Sequence, residues 1–188
     1  MLVVPAAAAF VAKTVPAGWL SGGGLLVAAV GILWLAQLGS EAVMLDLVGP
    51  LVVIGIGAAF PWGLMDGLSV TVVPSDKAGM ASGIFNTTKV ASEGITLAIV
   101  NALLAGLVLF SVNSNLGDPG NGSATGTASR QLAAGGLDQA ARILDGATRD
   151  VLVASYDSAF SALLYLLAAV TIASAIAVLI LLSKKAHP

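Results

Sequence analysis

Asn86, Lys89, Glu93 and Asn101 interrupt an otherwise apolar stretch. On a helix turning about 100° per residue, Lys89 lies at about −60° from Asn86, Glu93 at about −20° and Asn101 at about +60°. The four share a face about 120° wide, flanked by Val90 and Leu97. Ionisable groups inside an apolar segment face a bundle interior or a water-filled cavity. Glu93 is the strongest single candidate. A carboxylate held away from water is favoured in its neutral form, so it can take up and release a proton or bind a cation. The alternative is an ion pair with Lys89 at i and i+4.

Other side chains carry less specific signals. Asp66 lies about 12 Å along its helix before Pro74. It can act as a second carboxylate of the same cavity, pair with Lys89, or sit at the interface as a gate contact. Asp76 and Lys77 belong to a turn, where a solvated pair marks topology and a gating contact is the sharper reading. Gly79 and Gly83 have the spacing that lets helices approach closely. Trp62, beside Pro61, lines a cavity or packs inside. Asn121-Gly-Ser123 matches a glycosylation triplet, a short and frequent pattern.

The elements that position these residues follow from composition. Of the 188 residues, 57% are hydrophobic and 10% charged, with a mean hydropathy of +0.98. Soluble domains carry about 25% charged residues, so this chain belongs in a bilayer. No charge falls between Lys13 and Glu41, Asp46 and Asp66, Glu93 and Asp118, or Asp157 and Lys184. Each gap holds the roughly 20 residues a spanning helix needs. Period-2 alternation, the mark of a membrane barrel, is absent. There is no cysteine and the one histidine is His187, which leaves no thiolate or His-cluster metal site, and no cofactor is implied. No basic patch suggests nucleic acid.

The expected fold is therefore all-α and integral to the membrane: a bundle of four full spans at about 19–38, 47–73, 80–110 and 159–182, plus a shortened N-terminal helix at 1–12. As a helix that first segment measures only about 18 Å, and it reads as the end of a span that starts upstream. Pro50 and Pro61 interrupt the second span, Pro61 as a kink whose freed carbonyl neighbouring helices can satisfy, while Gly55 and Gly57 permit close helix approach. Residues 111–157 form a long extracytoplasmic loop, flexible over its Gly-, Ser- and Asn-rich part at 113–129. Leu137, Ala140, Ala141 and Leu144 within that loop have helical spacing. By parity the Lys13 turn, the Asp76–Lys77 turn and the Lys184–Lys185 tail share one side. Lysines beside spans place that side, with the C-terminus, in the cytoplasm of a multi-pass plasma-membrane protein.

The turn Pro74-Ser-Asp-Lys-Ala-Gly-Met-Ala-Ser-Gly83, followed by Ile-Phe-Asn86-Thr-Thr-Lys89, resembles the C-terminal half of major facilitator superfamily transporters, closest to the fourteen-span drug/proton antiporter branch. The long loop before the last span fits the same pattern. The resemblance implies a helical secondary transporter with a small-molecule substrate, coupled protons and an N-terminal half outside these residues. It implies no cofactor, and a gate role for the loop bearing Asp76, Lys77, Gly79 and Gly83. Gly49-Pro50 is a dipeptide in another span, distinct from the antiport motif of that branch.

Three function classes compete. The first is proton-coupled efflux of drugs or amphipathic compounds by a transporter of which this chain is a part, inactive alone. The second is a small structural subunit packing against a partner membrane protein. The third, a membrane enzyme, lacks a nucleophile motif, a His–carboxylate cluster and a metal-ligand set.

Overall fold

The computed structural model describes residues 17–39, 42–71, 73–116, 122–144 and 148–183, without the side chains of 17, 66–71, 75, 116, 122–123 and 182–183. The expected shortened helix at 1–12, the Lys13 turn, the Asn121 triplet and the Lys184–Lys185 tail lie outside the described residues. All described elements are helical: α1 (Ala17–Ala36), α2 (Met44–Thr71), a 3-10 turn (Ser75–Lys77), α3 (Ala78–Leu116), α4 (Gly122–Ala133), α5 (Leu137–Ile143) and α6 (Arg149–Ser183). Four of them, α1, α2, α3 and α6, are long and apolar enough to cross a membrane. The chain forms two compact units.

The first unit contains α1 to Leu35, α2, α3 to Ser92 and α6 from Leu166. Its contacts run through glycine and alanine. Gly24, Ala28 and Gly31 fall on one face of α1, within about 60° of each other. That face meets Pro50, Ile54 and Gly57 of α2. A Cβ on Gly24 would stand 2.6 Å from the Gly57 carbonyl oxygen, and one on Gly31 would stand 2.7 Å from Ile54 Cγ1. The opposite face of α1 carries Gly22, which packs under Leu179 of α6, and the buried Ala29. Helix α1 is thus lined with small residues on two sides, which is how membrane helices gain packing where lipid removes the hydrophobic drive. Gly57 fulfils the expected close approach, whereas Gly55 has nothing within 4 Å. Helix α2 continues through Pro50 and Pro61; neighbouring groups in a bundle can satisfy a carbonyl freed by proline.

The second unit contains residues 36–39 and 42, α3 from Glu93, α4, α5 and α6 to Tyr165. Larger side chains fill it. Leu104, Val108 and Val112 line one face of α3, and Leu152, Ser155, Ala159 and Leu163 line one face of α6. Asn115 Nδ2 donates to Ser155 Oγ at 2.9 Å, tying the end of α3 to the start of α6.

The structure corrects the expected loop. Residues 122–133 are helical despite their glycine, serine and threonine content. Thr125, Ala128, Ser129 and Leu132 are buried at i, i+3, i+4 and i+7, so packing overrides weak propensity. Helix α4 ends in a Schellman motif: Gly136 N–H donates to the Gln131 carbonyl at 2.7 Å and Gly135 N–H to that of Leu132 at 2.9 Å. Gly135 takes a φ of +85°, as the left-handed cap position requires. Helix α5 then packs on α4, burying Ala140 and, just past its end, Leu144. Replacing Gly135 with alanine should destabilise this hairpin by about 1–2 kcal/mol, read as faster amide exchange across α4 and α5.

Candidate functional site

Helix α3 is 39 residues long, about 58 Å, nearly twice a bilayer's hydrocarbon. Its first half rests on one face: Ala78, Ala81, Ser82, Phe85 and Lys89 are the half-buried positions, at i, i+3, i+4, i+7 and i+11. The rest of that half is exposed, and from Val90 to Ile99 every residue is exposed.

This division splits the polar stripe. Lys89 turns toward α2, its Nζ 4.2 Å from the centre of the Trp62 ring and 6.0 Å from that of Phe85. An ammonium over an indole face is attracted by the ring's quadrupole, by about 0.5–2 kcal/mol depending on desolvation. Asn86, Glu93 and Asn101 are exposed. Among the described residues their side chains make no hydrogen bond or ion pair.

The hydroxyls of the same segment behave differently. Thr87 Oγ1 donates to the Gly83 carbonyl at 2.9 Å, Thr88 Oγ1 to that of Ile84 at 2.9 Å, and Ser92 Oγ to that of Thr88 at 2.8 Å. Bonding to the i−4 carbonyl satisfies a hydroxyl within its own helix. These bonds satisfy the three hydroxyls whatever the side chains face. Two amides and a carboxylate cannot be satisfied in this way, because their donors and acceptors outnumber what their own helix offers.

A Cβ added to Gly79 or Gly83 would meet nothing within 4 Å. Close packing through them, as their spacing suggested, does not occur among the described residues. Along α3 they fall within about 60° of Asn86, so the open face carries small residues near its start and polar ones further on. Asp76 and Lys77 are exposed in the 3-10 turn, which is closed by Lys77 N–H donating to the Pro74 carbonyl at 2.9 Å. Asp66 belongs to α2, and its side chain lies outside the described set.

One contact and one concavity are not legible from the sequence. Trp62 can line a cavity or pack inside by its position alone, and the structure makes it the seat of Lys89. In the second unit, Leu132, Gly135, Leu137, Val153 and Tyr156 line an apolar groove of about 220 Å³. Among the described residues no three His, Cys, Asp or Glu side chains gather into a metal site. No family model, no curated protein and no solved structure matches the chain.

Proposed function

We propose that this chain is part of a secondary transporter resembling the major facilitator superfamily, and that the Asn86–Glu93–Asn101 face of α3 lines its solute path. One observation carries the reading. In a chain with four membrane-length helices, the polar face of the longest is open, and its amides and carboxylate have no partner among the described residues. An ionised or amide side chain turned to hydrocarbon is disfavoured, by about 2.5–3.5 kcal/mol for a charge at the helix centre. That face therefore meets water or other protein. Further membrane helices would close the path, in the manner of transporters that bind between two halves and rock around the site. The substrates are small amphipathic compounds, coupled to protons through Glu93, in the plasma membrane. The Pro74–Gly83 turn and the C-terminal end of α6 lie on the cytoplasmic side.

Glu93→Gln and Asn101→Leu, made in the complete protein in its membrane, test this. Efflux of an amphipathic dye should fall at least about tenfold in either variant, equivalent to about 1.4 kcal/mol of lost path stabilisation. The Gln variant, which cannot release a proton, should also lose any dependence of efflux on pH. Unchanged efflux at every pH, with normal protein levels, would remove Glu93 from the path. If the variants instead lost a co-purifying membrane protein while efflux was unaltered, the open face would be the seat of a partner in a structural subunit.

A further inference from the structure

The three tryptophans all face outward: Trp19 is 60% exposed, Trp34 48% and Trp62 51%. Helices α1 and α2 run antiparallel where they cross. Gly24 lies against Gly57, Phe60 and Pro61, and Gly31 against Pro50 and Ile54. Counting back along that pairing puts Trp62 opposite the first turns of α1, within about one turn of Trp19. At the other end Trp34 lies over Gly49, 3.1 Å from where its Cβ would be. Trp19 and Trp34 are about 22 Å apart along α1. Indoles reaching outward from positions about 22 Å apart flank most of the roughly 30 Å of hydrocarbon, the pattern of aromatic belts at the two membrane surfaces.

Lys89 stands on the Trp62 ring and so shares its level. In α2 the charge-free residues are 47–65, and Trp62 falls in their last turn. In α3 the charge-free residues of the helix are 94–116, about 34 Å of helix, enough to cross hydrocarbon without the first four turns. Both helices thus give one boundary independently, at Trp62 in α2 and between Lys89 and Glu93 in α3.

We propose that Trp62, Phe85 and Lys89, together with Trp19, form an interfacial anchor whose partner is the headgroup and carbonyl layer of a phospholipid bilayer. The first turns of α3, from Ala78 to Thr88, then stand outside the hydrocarbon. Lys89 and Glu93 lie at the boundary, and Asn101, about 12 Å further along, lies within it. An amphipathic indole and a lysine with a long apolar stem both prefer that layer. In terms of the function proposed above, Asn86 and Glu93 sit at the mouth of the path, where water reaches them, and Asn101 is the member of the face that hydrocarbon disfavours. The membrane register itself rests on the tryptophans and the charge-free stretches, and holds whether or not the chain transports anything.

The absence of cysteine makes every introduced thiol unique. Thr87, Ala91, Ala98 and Ala102 are exposed and lie within about 60° of one another on α3, outside the polar stripe. Each is replaced by cysteine in the full chain, spin-labelled, and reconstituted in phospholipid vesicles. At Thr87 collisions with a water-soluble nickel chelate should dominate, and at Ala98 and Ala102 collisions with oxygen, with the crossover near Ala91. Oxygen dominance at Thr87 equal to that at Ala98 would place the start of α3 in the hydrocarbon and overturn the proposal. A second measurement keeps Trp62 as the sole tryptophan by Trp19→Phe and Trp34→Phe. Lipids brominated near the headgroup should quench its fluorescence more strongly than lipids brominated near the chain end; the reverse order also overturns it.

Discussion

Gly57→Leu should separate α1 from α2 and destabilise the first unit by about 3 kcal/mol, the upper part of the range for forcing atoms into a packed core. A Cβ at Gly57 would fall on the Ala28 backbone nitrogen, 2.6 Å from the Gly24 carbonyl oxygen and 2.8 Å from the Ala28 Cα. All three are main-chain atoms, so no rotamer change can make room. The helices would have to move apart, which removes the contacts of Gly24, Ala28 and Gly31 together. Denaturation of the protein in mixed micelles, followed by Trp34 fluorescence, measures the effect, since Trp34 packs over Gly49 on the same helix pair. Gly55→Leu is the control. Its Cβ meets nothing within 4 Å, and leucine is the better helix former by up to about 1 kcal/mol, so that variant should be as stable as the parent or more so. Equal losses in the two variants would show that α1 and α2 do not cross at Gly57.

The contrast between Gly55 and Gly57 also marks where the sequence stops being informative. Both glycines lie in an apolar run and either could face a neighbour; only the partner's position decides. The four long helices were legible because charge gaps report a solvent preference that each segment expresses alone. Helix ends were less so. Helix α6 begins at Arg149 rather than near 159, because Arg149, Asp150 and Asp157 suggest a loop while Leu152 and Ser155 are already turned inward. Helix α4 was hidden for a related reason. Its buried stripe is built from Thr125, Ala128, Ser129 and Leu132, residues that for the most part register as polar or small rather than apolar. Gly135-Gly136, beginning two residues past Ala133, was the available stop signal.

The polar stripe was legible as a set of angles, and its membership was not. Asn86, Glu93 and Asn101 remain on the open side of α3, but Lys89 turns to an aromatic ring on α2, far away in sequence. A helical wheel ranks neighbours on one helix and has no term for a neighbour on another. It also has no term for depth. Angles alone treat the stripe as charge buried in lipid, yet a helix of 39 residues has turns to spare outside the hydrocarbon. That difference matters for function. A carboxylate at the mouth of a path can meet protons from water directly, whereas one at the midplane needs a relay to reach them.

The second unit should answer to a different kind of substitution. Leu152→Ala should destabilise it by about 2–5 kcal/mol, the range for emptying a filled leucine site. Leu152 is 0% exposed, and its turn of α6 is flanked by Arg149, Asp150 and Asp157. Water, not lipid, bathes a segment with that many charges, so apolar burial there carries the full hydrophobic drive. Large side chains fill the core accordingly: Leu132 and Leu144 are buried in the same unit. The first unit instead packs through Gly24, Ala28, Gly31 and Gly57, where shape matters and transfer from water contributes little. The two substitutions should therefore act separately. Leu152→Ala should accelerate amide exchange through α4, α5 and the start of α6 while leaving the Trp34 signal of the α1–α2 pair in place. Gly57→Leu should do the reverse. Val153→Ala, at a half-buried position lining the groove beside Tyr156, should lose at most about 1.5 kcal/mol. If Leu152→Ala lost no more than Val153→Ala, the start of α6 would not be packed into a core, and the Asn115–Ser155 hydrogen bond one turn away would have to hold α3 to α6 without it.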